Sequence, residues 1–306
     1  MFNIRKNKNA EDCNLKEFEA ISNGIKIQFY IHNLNLGIKK GLLLYIQGSG
    51  PIPLWAVSKN SSALTFNLHT YPAVQEQYYF VIISKPGLSF HEIENISLYH
   101  ELLSLQFRVF QAESVLNWLT EQEFIDRKRV LIVGHSEGAD VAAKLTSTNK
   151  GITHLAYLAS GGISQYFDYI LSIRKQQIQG HICEEKANTD LDSILKNIQE
   201  ITKNPTSTQD FWLGHTYLRW SSFSTPPIGS LLQIDVPIFV GIGSKDQIVH
   251  LESADYIITE FSRIGKKNLT YKIYKNSDHG FSDISNTKST SLKHRLLDDI
   301  LEWTKN

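Results

Sequence analysis

One stretch of the sequence decides the fold, and it reads Val130-Leu131-Ile132-Val133-Gly134-His135-Ser136-Glu137-Gly138-Ala139. The four apolar residues predict a buried strand, and the pattern G-x-S-x-G predicts a sharp turn from that strand into a helix. Side chains at Gly134 and Gly138 would collide with neighbouring backbone in such a turn, which explains the two glycines. The turn aims the hydroxyl of Ser136 out of the sheet, so the stretch predicts a nucleophilic serine.

A simpler interpretation is that Ser136 only begins a helix as its N-cap residue. That interpretation predicts no distant partners. A serine hydroxyl is a weak nucleophile near neutral pH, so a catalytic role requires a base within hydrogen-bond reach and a group that orients the base.

Both partners are predicted from the chain downstream. Asp246 follows the predicted strand 237–241, and His279 follows the predicted strand 269–274. Loops at the carboxyl ends of parallel strands face the same edge of a sheet, so both residues are expected near Ser136. We predict that His279 is the general base and that Asp246 holds its imidazole.

Other residues are weaker candidates for these two roles. Asp278 and Asp283 lie close to His279 in the chain, but neighbours on one loop rarely reach the geometry required. His135 is expected to pack beneath the turn. The remaining histidines are interpreted as core or surface residues.

An oxyanion-binding site is predicted from two backbone amides. The strand predicted at 42–47 ends in Gly48-Ser49-Gly50-Pro51, and the N–H of Ser49 is one candidate donor. The N–H of Glu137 is the other, because it lies at a helix N-terminus, where peptide dipoles favour negative charge. A plain glycine-rich turn is the alternative. The motif G-x-x-x-x-G-K-[ST] of phosphate-binding loops is absent from the sequence.

Alternation of β-rich and helical segments predicts a mostly parallel central sheet flanked by helices. Strands are predicted at 25–31, 42–47, 78–84, 130–133, 153–159, 237–241 and 269–274, and helices at 97–124, 139–146, 166–179, 190–203, 251–264 and about 291–303. Residues 163–230 interrupt the alternation and are interpreted as an inserted helical cap. The core is then expected in two parts, 1–162 and 231–306.

An aromatic cluster near the end of this cap is the candidate substrate-binding region. Trp212 and Trp220 are expected to form an aromatic wall, and Arg219 is expected to be available for a substrate carboxylate. The alternative is that these aromatic residues only attach the cap to the core. Trp55 is expected to border the mouth of the same pocket.

Composition limits the partners of the chain. Lys plus Arg equals Asp plus Glu at 31 each, so no net field attracts nucleic acid. Two cysteines, Cys13 and Cys183, provide neither a metal-ligand spacing nor a disulfide framework. The first residues lack the apolar core of a signal peptide, and no apolar run spans a membrane, so we expect a cytoplasmic protein without membrane contact. No metal or other cofactor is expected.

From about Gly24 to Trp303, the motifs together resemble the α/β-hydrolase superfamily. The Asp-His-Gly-Phe sequence at 278–281 is similar to that of its prolyl-oligopeptidase-like and dienelactone-hydrolase-like members. Two departures stand out. Gln47 replaces the usual histidine before the strand-3 glycine, and Glu137 follows the nucleophile, where apolar residues or Gln are frequent.

This resemblance implies an α/β-hydrolase fold and a serine hydrolase with Ser136, Asp246 and His279 as its triad. We expect it to cleave a carboxylic ester, or in second place an amide or short peptide bond, through an acyl-serine intermediate. Two alternatives stay open. The same triad permits acyl transfer if the cap excludes water, and the fold also permits a ligand-binding protein without catalysis.

Overall fold

The central element of the chain is one β-sheet. The structure, a computed structural model, describes residues 2–22, 24–58, 61–64, 67–285 and 292–305. Within these ranges the sheet has nine strands, in the spatial order β1-β2-β3-β5-β4-β6-β7-β8-β9. In chain order they are β1 (Asn3–Arg5), β2 (Leu15–Ser22), β3 (Ile25–His32), β4 (Lys40–Ile46), β5 (Tyr78–Ile83), β6 (Ile125–His135), β7 (His154–Leu158), β8 (Ile238–Gly243) and β9 (Leu269–Tyr274).

Strands β4 to β9 run parallel to one another, and β1 to β3 pair antiparallel at one edge. The carboxyl ends of β4, β6, β8 and β9 therefore lie at the same edge of the sheet. The loop 47–51, Ser136, Asp246 and His279 follow these four strands.

Helices lie on both faces of the sheet. The described helices are α1 (Lys8–Glu11), α2 (Pro72–Gln77), α3 (Ile96–Leu102), α4 (Leu105–Thr120), α5 (Glu137–Thr148), α6 (Gln165–Ile178), α7 (Glu184–Lys203), α8 (Tyr217–Ser222), α9 (Ile228–Leu231), α10 (Leu251–Ile264) and α11 (Leu292–Trp303). A 3-10 turn at Asn67–Thr70 and two hairpins, Trp55–Ser58 with Ser61–Leu64 and Phe211–Trp212 with His215–Thr216, complete the description.

The apolar run of strand β6 is continuous because both faces of the strand are covered. Val130 and Ile132 pack on one face of the sheet with residues of α4 and α5, while Leu131 and Val133 pack on the other with residues of α11. All four are buried. Because each such side chain stabilises the fold by about 2 kcal/mol, both faces favour the strand.

The predicted α/β-hydrolase architecture is confirmed, with two local differences. The helix predicted at 97–124 is two helices, because Leu103 is extended and Ser104 caps α4 by accepting a hydrogen bond from the N–H of Phe107 at 3.2 Å. The edge strands β1 and β2 were not predicted, since charged residues such as Lys16, Glu17 and Glu19 mask their pattern.

Residues 163–230, the segment interpreted as a cap, contain α6 to α9 and the short hairpin 211–216. The segment leaves the sheet after β7 and returns to it at β8. Side chains of α6 and α8 line a cavity together with Ser136, so the segment lies over the carboxyl edge of the sheet.

Candidate active site

The turn between β6 and α5 holds Ser136 in a strained backbone conformation. Its φ and ψ are 56° and −130°, a combination that side chains with a Cβ rarely adopt. The N–H of Ser136 donates to the carbonyl of Leu158 on β7 at 2.9 Å, which fixes the turn to the neighbouring strand. Ser136 is half-buried, so part of it remains accessible.

The two glycines of the turn have no room for a side chain. A Cβ at Gly138 would lie 2.1 Å from the carbonyl oxygen of Ile46 and 2.6 Å from that of Gln47. A Cβ at Gly134 would lie 2.5 Å from the carbonyl oxygen of Gly138. These contacts bring the end of β4 directly against the start of α5.

His279 and Asp246 are in direct contact. The Nδ1 of His279 lies 2.7 Å from Oδ2 of Asp246, and Oδ1 of Asp246 accepts hydrogen bonds from the N–H groups of Ile248 and Val249 at 2.9 and 3.0 Å. The Asp246 side chain is buried. A carboxylate fixed in this way holds the imidazole with Nδ1 protonated, which leaves Nε2 to accept a proton.

The two alternative acids, Asp278 and Asp283, accept hydrogen bonds from residues of their own loop. Oδ1 of Asp278 accepts from the N–H groups of Gly280 and Ser282 at 2.9 and 2.7 Å, and Asp283 binds Ser285. His135 packs beside His279 with ring centroids 5.1 Å apart, and its Nε2 lies 2.9 Å from the His279 carbonyl oxygen.

The loop after β4 approaches the serine closely. A Cβ at Gly48 would lie 3.1 Å from the Cβ of Ser136, and Ser49, Ser136 and Glu137 line the same cavity. In place of a histidine, the side chain of Gln47 donates from Nε2 to the carbonyl of Ile83 at 2.9 Å and thereby ties the loop to β5.

A buried charge cluster lies beneath this loop. Oε1 of Glu137 accepts from Nη1 of Arg108 at 2.8 Å, and Oε2 accepts from Nε and Nη2 of Arg219 at 2.8 and 2.6 Å. Arg108 also donates from Nη2 to the carbonyl of Gln47 at 2.7 Å, and Lys85 donates to the carbonyl of Gly50 at 2.6 Å. Arg108 and Lys85 thus bind two backbone carbonyls of the loop 47–51.

The pKa shifts of the cluster follow from these contacts. Burial alone would raise the pKa of Glu137, but the positive charges of Arg219, Arg108 and Lys85 outweigh burial and lower it to about 2. Burial, together with the charge of Arg108, lowers the pKa of Lys85 to about 7. Glu137 is therefore an anion at any physiological pH.

Two cavities flank Ser136. The cap-side cavity, about 360 Å³, is lined by Ser49, Ser136, Glu137 and residues of α6 and α8. The histidine-side cavity, about 310 Å³, is lined by Gly48, Ser136 and His279. Ser136 therefore belongs to the lining of both cavities.

The predicted substrate-binding residues differ in their position relative to the cap-side cavity. Trp220 lines the cap-side cavity, whereas Trp212 lies behind it with ring centroids 4.7 Å apart. Arg219 also lines this cavity, but its guanidinium is already bound to a carboxylate of the protein, Glu137. Trp55 is not at this mouth: it lines a separate cavity and stacks on Phe90 at 5.8 Å.

Several residues near the site were not predicted. Asp140 on α5 and Asp168 on α6 are buried and line the cap-side cavity, and Arg108 on α4 binds Glu137. The unusual Glu137 was the only sequence signal, since a buried anion requires cations from elsewhere in the chain.

Neither a metal-binding cluster nor a membrane-spanning helix is found among the described residues. Among the described residues, His, Cys, Asp and Glu form no group of three or more that suits a metal ion. In the same part of the chain, every helix is too short or too polar to span a bilayer.

Comparison with solved structures supports the fold. Acylaminoacyl peptidase from Pyrococcus horikoshii matches with a TM-score of 0.62 and 13% identity, over 100% of this chain and 42% of that one. Est1E from Butyrivibrio proteoclasticus matches with a TM-score of 0.55 and 14% identity, over 94% and 97% of the two chains. Dipeptidyl peptidase 4 from Porphyromonas gingivalis matches with a TM-score of 0.56 and 11% identity, over 99% and 35%.

The chain therefore spans less than half of the two peptidases and nearly all of Est1E. No match was found among curated proteins. The sequence profile of the prolyl oligopeptidase family matches residues 66–306, which is most of the chain. The chain belongs to the prolyl oligopeptidase family.

Proposed function

We propose that this protein is a serine hydrolase that cleaves a carboxylic ester through an acyl-enzyme intermediate on Ser136. The observation that carries the proposal is the contact of 2.7 Å between His279 and Asp246, at the edge of a cavity that Ser136 and His279 share. An amide or short peptide bond is the second substrate class, because acylaminoacyl peptidase is among the similar structures.

In the first step, Oγ of Ser136 attacks the substrate carbonyl carbon while Nε2 of His279 takes its proton. Asp246 stabilises the resulting imidazolium, because its carboxylate is fixed by the two backbone N–H groups at Ile248 and Val249. Collapse of the tetrahedral intermediate breaks the bond to the leaving oxygen, and His279 returns the proton to that oxygen.

The N–H groups of Ser49 and Glu137 stabilise the oxyanion in this mechanism. Glu137 begins α5, so its amide is one of the N-terminal amides that lack an intrahelical partner. A Cβ added at Gly48 would lie 3.1 Å from the Cβ of Ser136, and this close approach supports a position of the next amide, that of Ser49, near the serine. Donors that are fixed before the reaction stabilise the transition state with little reorganisation.

Water then repeats the sequence on the acyl-enzyme. His279 takes a proton from water, the hydroxide attacks the acyl carbon, and the bond to Oγ of Ser136 breaks. The products are a carboxylic acid and the restored serine. This deacylation makes the protein a hydrolase instead of an acyltransferase.

Turnover of p-nitrophenyl esters tests this proposal. The wild-type protein should hydrolyse them, and Ser136→Ala should lower kcat/KM by on the order of 10³-fold or more with an unchanged Tm. Ser147→Ala, a serine on the same helix α5, is the matched control and should keep wild-type activity. Equal activity of Ser136→Ala and wild type would overturn the proposal.

A further inference from the structure

The two cavities separate the two halves of a substrate. His279 delivers a proton to the leaving group, so the leaving group lies in the histidine-side cavity, which His279 lines. The acyl group then extends to the other side of Ser136, into the cap-side cavity. The side chains of the cap-side cavity therefore select the acyl group.

Two buried carboxyl groups in this cavity lack a counterion from the protein. Asp140 accepts from Tyr157, Ser160 and Gln165, and Asp168 accepts from the N–H of His250 and the hydroxyl of Ser253. All these donors are neutral, and among the described residues no ion pair includes either aspartate. Burial raises the pKa of each to about 6, so both are ionised at pH 8.

One carboxylate oxygen of Asp168, Oδ2, is partly accessible. The residue is only 8% exposed, and both of its hydrogen bonds end on Oδ1. Within the described part of the chain no donor contacts Oδ2. This oxygen is not fully enclosed, because the enclosed polar atoms without a partner do not include it. Since Asp168 lines the cap-side cavity, this oxygen is placed to accept a hydrogen bond from a bound molecule.

Among the described residues that line this cavity, the cation is Arg219, and it is already paired with Glu137. Arg219 donates from Nε and Nη2 to Glu137, while its Nη1 is enclosed without a hydrogen-bond partner. Its guanidinium packs 4.4 Å from the ring centroid of Trp220 and 5.0 Å from that of Phe223. The pKa of His215 is lowered to about 4, mainly by burial, so this imidazole is neutral. Neither group offsets the charge of the two aspartates.

The cavity also has surfaces for an aliphatic stem. The rings of Tyr169 and Trp220 line it, and Ile163 lies between β7 and α6 in the same wall. Aromatic faces attract a cation by about 0.5–2 kcal/mol and pack well against methylene groups.

We propose that the cap-side cavity binds an acyl group that carries a positive charge, an ammonium or guanidinium, with Oδ2 of Asp168 as its acceptor. This inference rests on the proposed function, because it assigns the cavity to the acyl half of the substrate. Asp168 is then the residue that determines specificity, and Asp140 adds negative charge beside it.

Three esters of matched length test the charge preference at pH 8. They are p-nitrophenyl 6-aminohexanoate, the neutral p-nitrophenyl heptanoate and the anionic mono-p-nitrophenyl pimelate. The wild-type protein should show kcat/KM at least about 10-fold higher for the ammonium ester than for the neutral ester, which corresponds to one charged hydrogen bond. Equal values, or the highest value for the pimelate ester, would overturn the proposal.

The variant Asp168→Asn tests the role of Oδ2 as the hydrogen-bond acceptor for the ammonium group. Asn keeps Oδ1 for His250 and Ser253 and replaces only Oδ2, so the fold should persist. We expect the ratio of kcat/KM for the ammonium ester to kcat/KM for the heptanoate ester to fall by about 10-fold. Asp192→Asn, an exposed position on α7, is the control and should keep the preference. An undiminished preference in Asp168→Asn would contradict the assignment.

A binding measurement separates this inference from the proposed function. N-methyl-6-aminohexanamide and N-methylheptanamide are titrated into Ser136→Ala by calorimetry, which requires no turnover. At least about 10-fold tighter binding of the ammonium ligand supports the cationic pocket even if no ester is hydrolysed. Equal or weaker binding of the ammonium ligand overturns it even if esters are hydrolysed.

Discussion

Ser136 is a residue whose backbone strain is maintained by its neighbours. A φ of 56° with a ψ of −130° costs on the order of 1–3 kcal/mol, and such strain persists only where surrounding contacts over-determine it. Here the contacts are the hydrogen bond to Leu158 and the tight packing of Gly134 and Gly138. The residue held in this conformation lines both cavities.

The packing at Gly138 gives the first prediction. Gly138→Ala places a Cβ about 2 Å from the carbonyl of Ile46, so the end of β4 and the oxyanion loop must shift. We expect a loss of about 2–3 kcal/mol in the free energy of unfolding and a fall in kcat of more than about 10-fold, measured by urea unfolding and ester hydrolysis.

Gly229→Ala is the matched control, because a Cβ at Gly229 meets nothing within 4 Å. Its stability should stay within about 0.5 kcal/mol of wild type, with unchanged activity. Wild-type stability and activity in Gly138→Ala would show that β4 does not pack against α5 as described.

The charge of Glu137 predicts how the free energy of unfolding depends on pH. Its pKa is lowered from 4.5 to about 2 in the folded state, so its contribution to stability is present above about pH 4.5 and is lost as the pH falls toward 2. The free energy of unfolding of wild type minus that of Glu137→Gln should therefore narrow by about 2 kcal/mol between pH 7 and pH 3.

Urea unfolding at the two pH values measures this difference. Glu184→Gln, on the exposed start of α7, is the control and should change stability little at either pH. A difference between wild type and Glu137→Gln that does not depend on pH would contradict a buried, ionised Glu137.

Sequence reasoning at this scale succeeds where the constraint is local. The glycines around Ser136 and the positions of Asp246 and His279 at strand ends follow from short stretches of chain. Arg108 and Asp168 were not predictable in this way, because the partners that give them a role come from distant elements.

At the scale of elements, two cap helices are joined to the catalytic edge of the sheet. Helix α8 contributes Arg219, which binds the side chain of Glu137 directly after Ser136. Helix α6 contributes Asp168, which accepts from the N–H of His250, in the loop that follows Asp246. Segment 163–230 therefore contacts both Glu137, directly after Ser136, and the loop that follows Asp246.

Replacement of Arg219 tests this coupling. Arg219→Gln removes the two hydrogen bonds to Oε2 of Glu137 and lets the start of α5 shift relative to the oxyanion loop. We expect kcat for an activated ester to fall by about 10–100-fold, because oxyanion donors are sensitive to small displacements. A change confined to KM would instead indicate that Arg219 only binds substrate.

Arg219→Lys should restore little of the loss, since an ammonium cannot make the two parallel bonds of a guanidinium. Arg263→Gln, which removes an exposed arginine from a surface ion pair with Glu260, should keep wild-type kcat. Full activity of Arg219→Gln would contradict a positioning role.

Helix boundaries mark the limit of sequence reasoning at this scale. The apolar spacing from Ser97 to Phe124 favours one helix, but Ser104 and Asn95 each cap a separate helix through their side chains. Serine within a helical pattern is compatible with either outcome, so only the tertiary packing of α3 and α4 decides the break.

At the scale of the whole molecule, the parallel strands were predictable and the antiparallel edge was not. Strands β4 to β8 carry apolar runs that are largely buried on both faces, which is a strong signal. Strand β2 lacks such a run, since Lys16, Glu17 and Glu19 interrupt its apolar residues and Ile21 is exposed. The edge is nevertheless attached to the core through aromatic residues of β2, β3 and α4.

Phe2, just before β1, tests how firmly this edge is attached. Its ring packs 4.9 Å from Phe29 and 5.6 Å from Trp118, measured between centroids. Because Phe2 is partly buried, Phe2→Ala should lower the free energy of unfolding by about 2 kcal/mol, measured by urea unfolding. Ile4→Ala, at a position 62% exposed on β1, is the control and should change it by less than about 0.5 kcal/mol. Equal effects would mean that the edge does not pack as described.

The central claim is that Ser136 is an activated nucleophile, and labelling with a fluorophosphonate probe tests it most directly. Mass spectrometry of the intact protein and its peptides should show one adduct, located on Ser136. The adduct should be absent from Ser136→Ala and form at least about 100-fold more slowly in His279→Ala, because the serine then lacks its base. No adduct on the wild-type protein, or an adduct that persists in Ser136→Ala, would contradict the account.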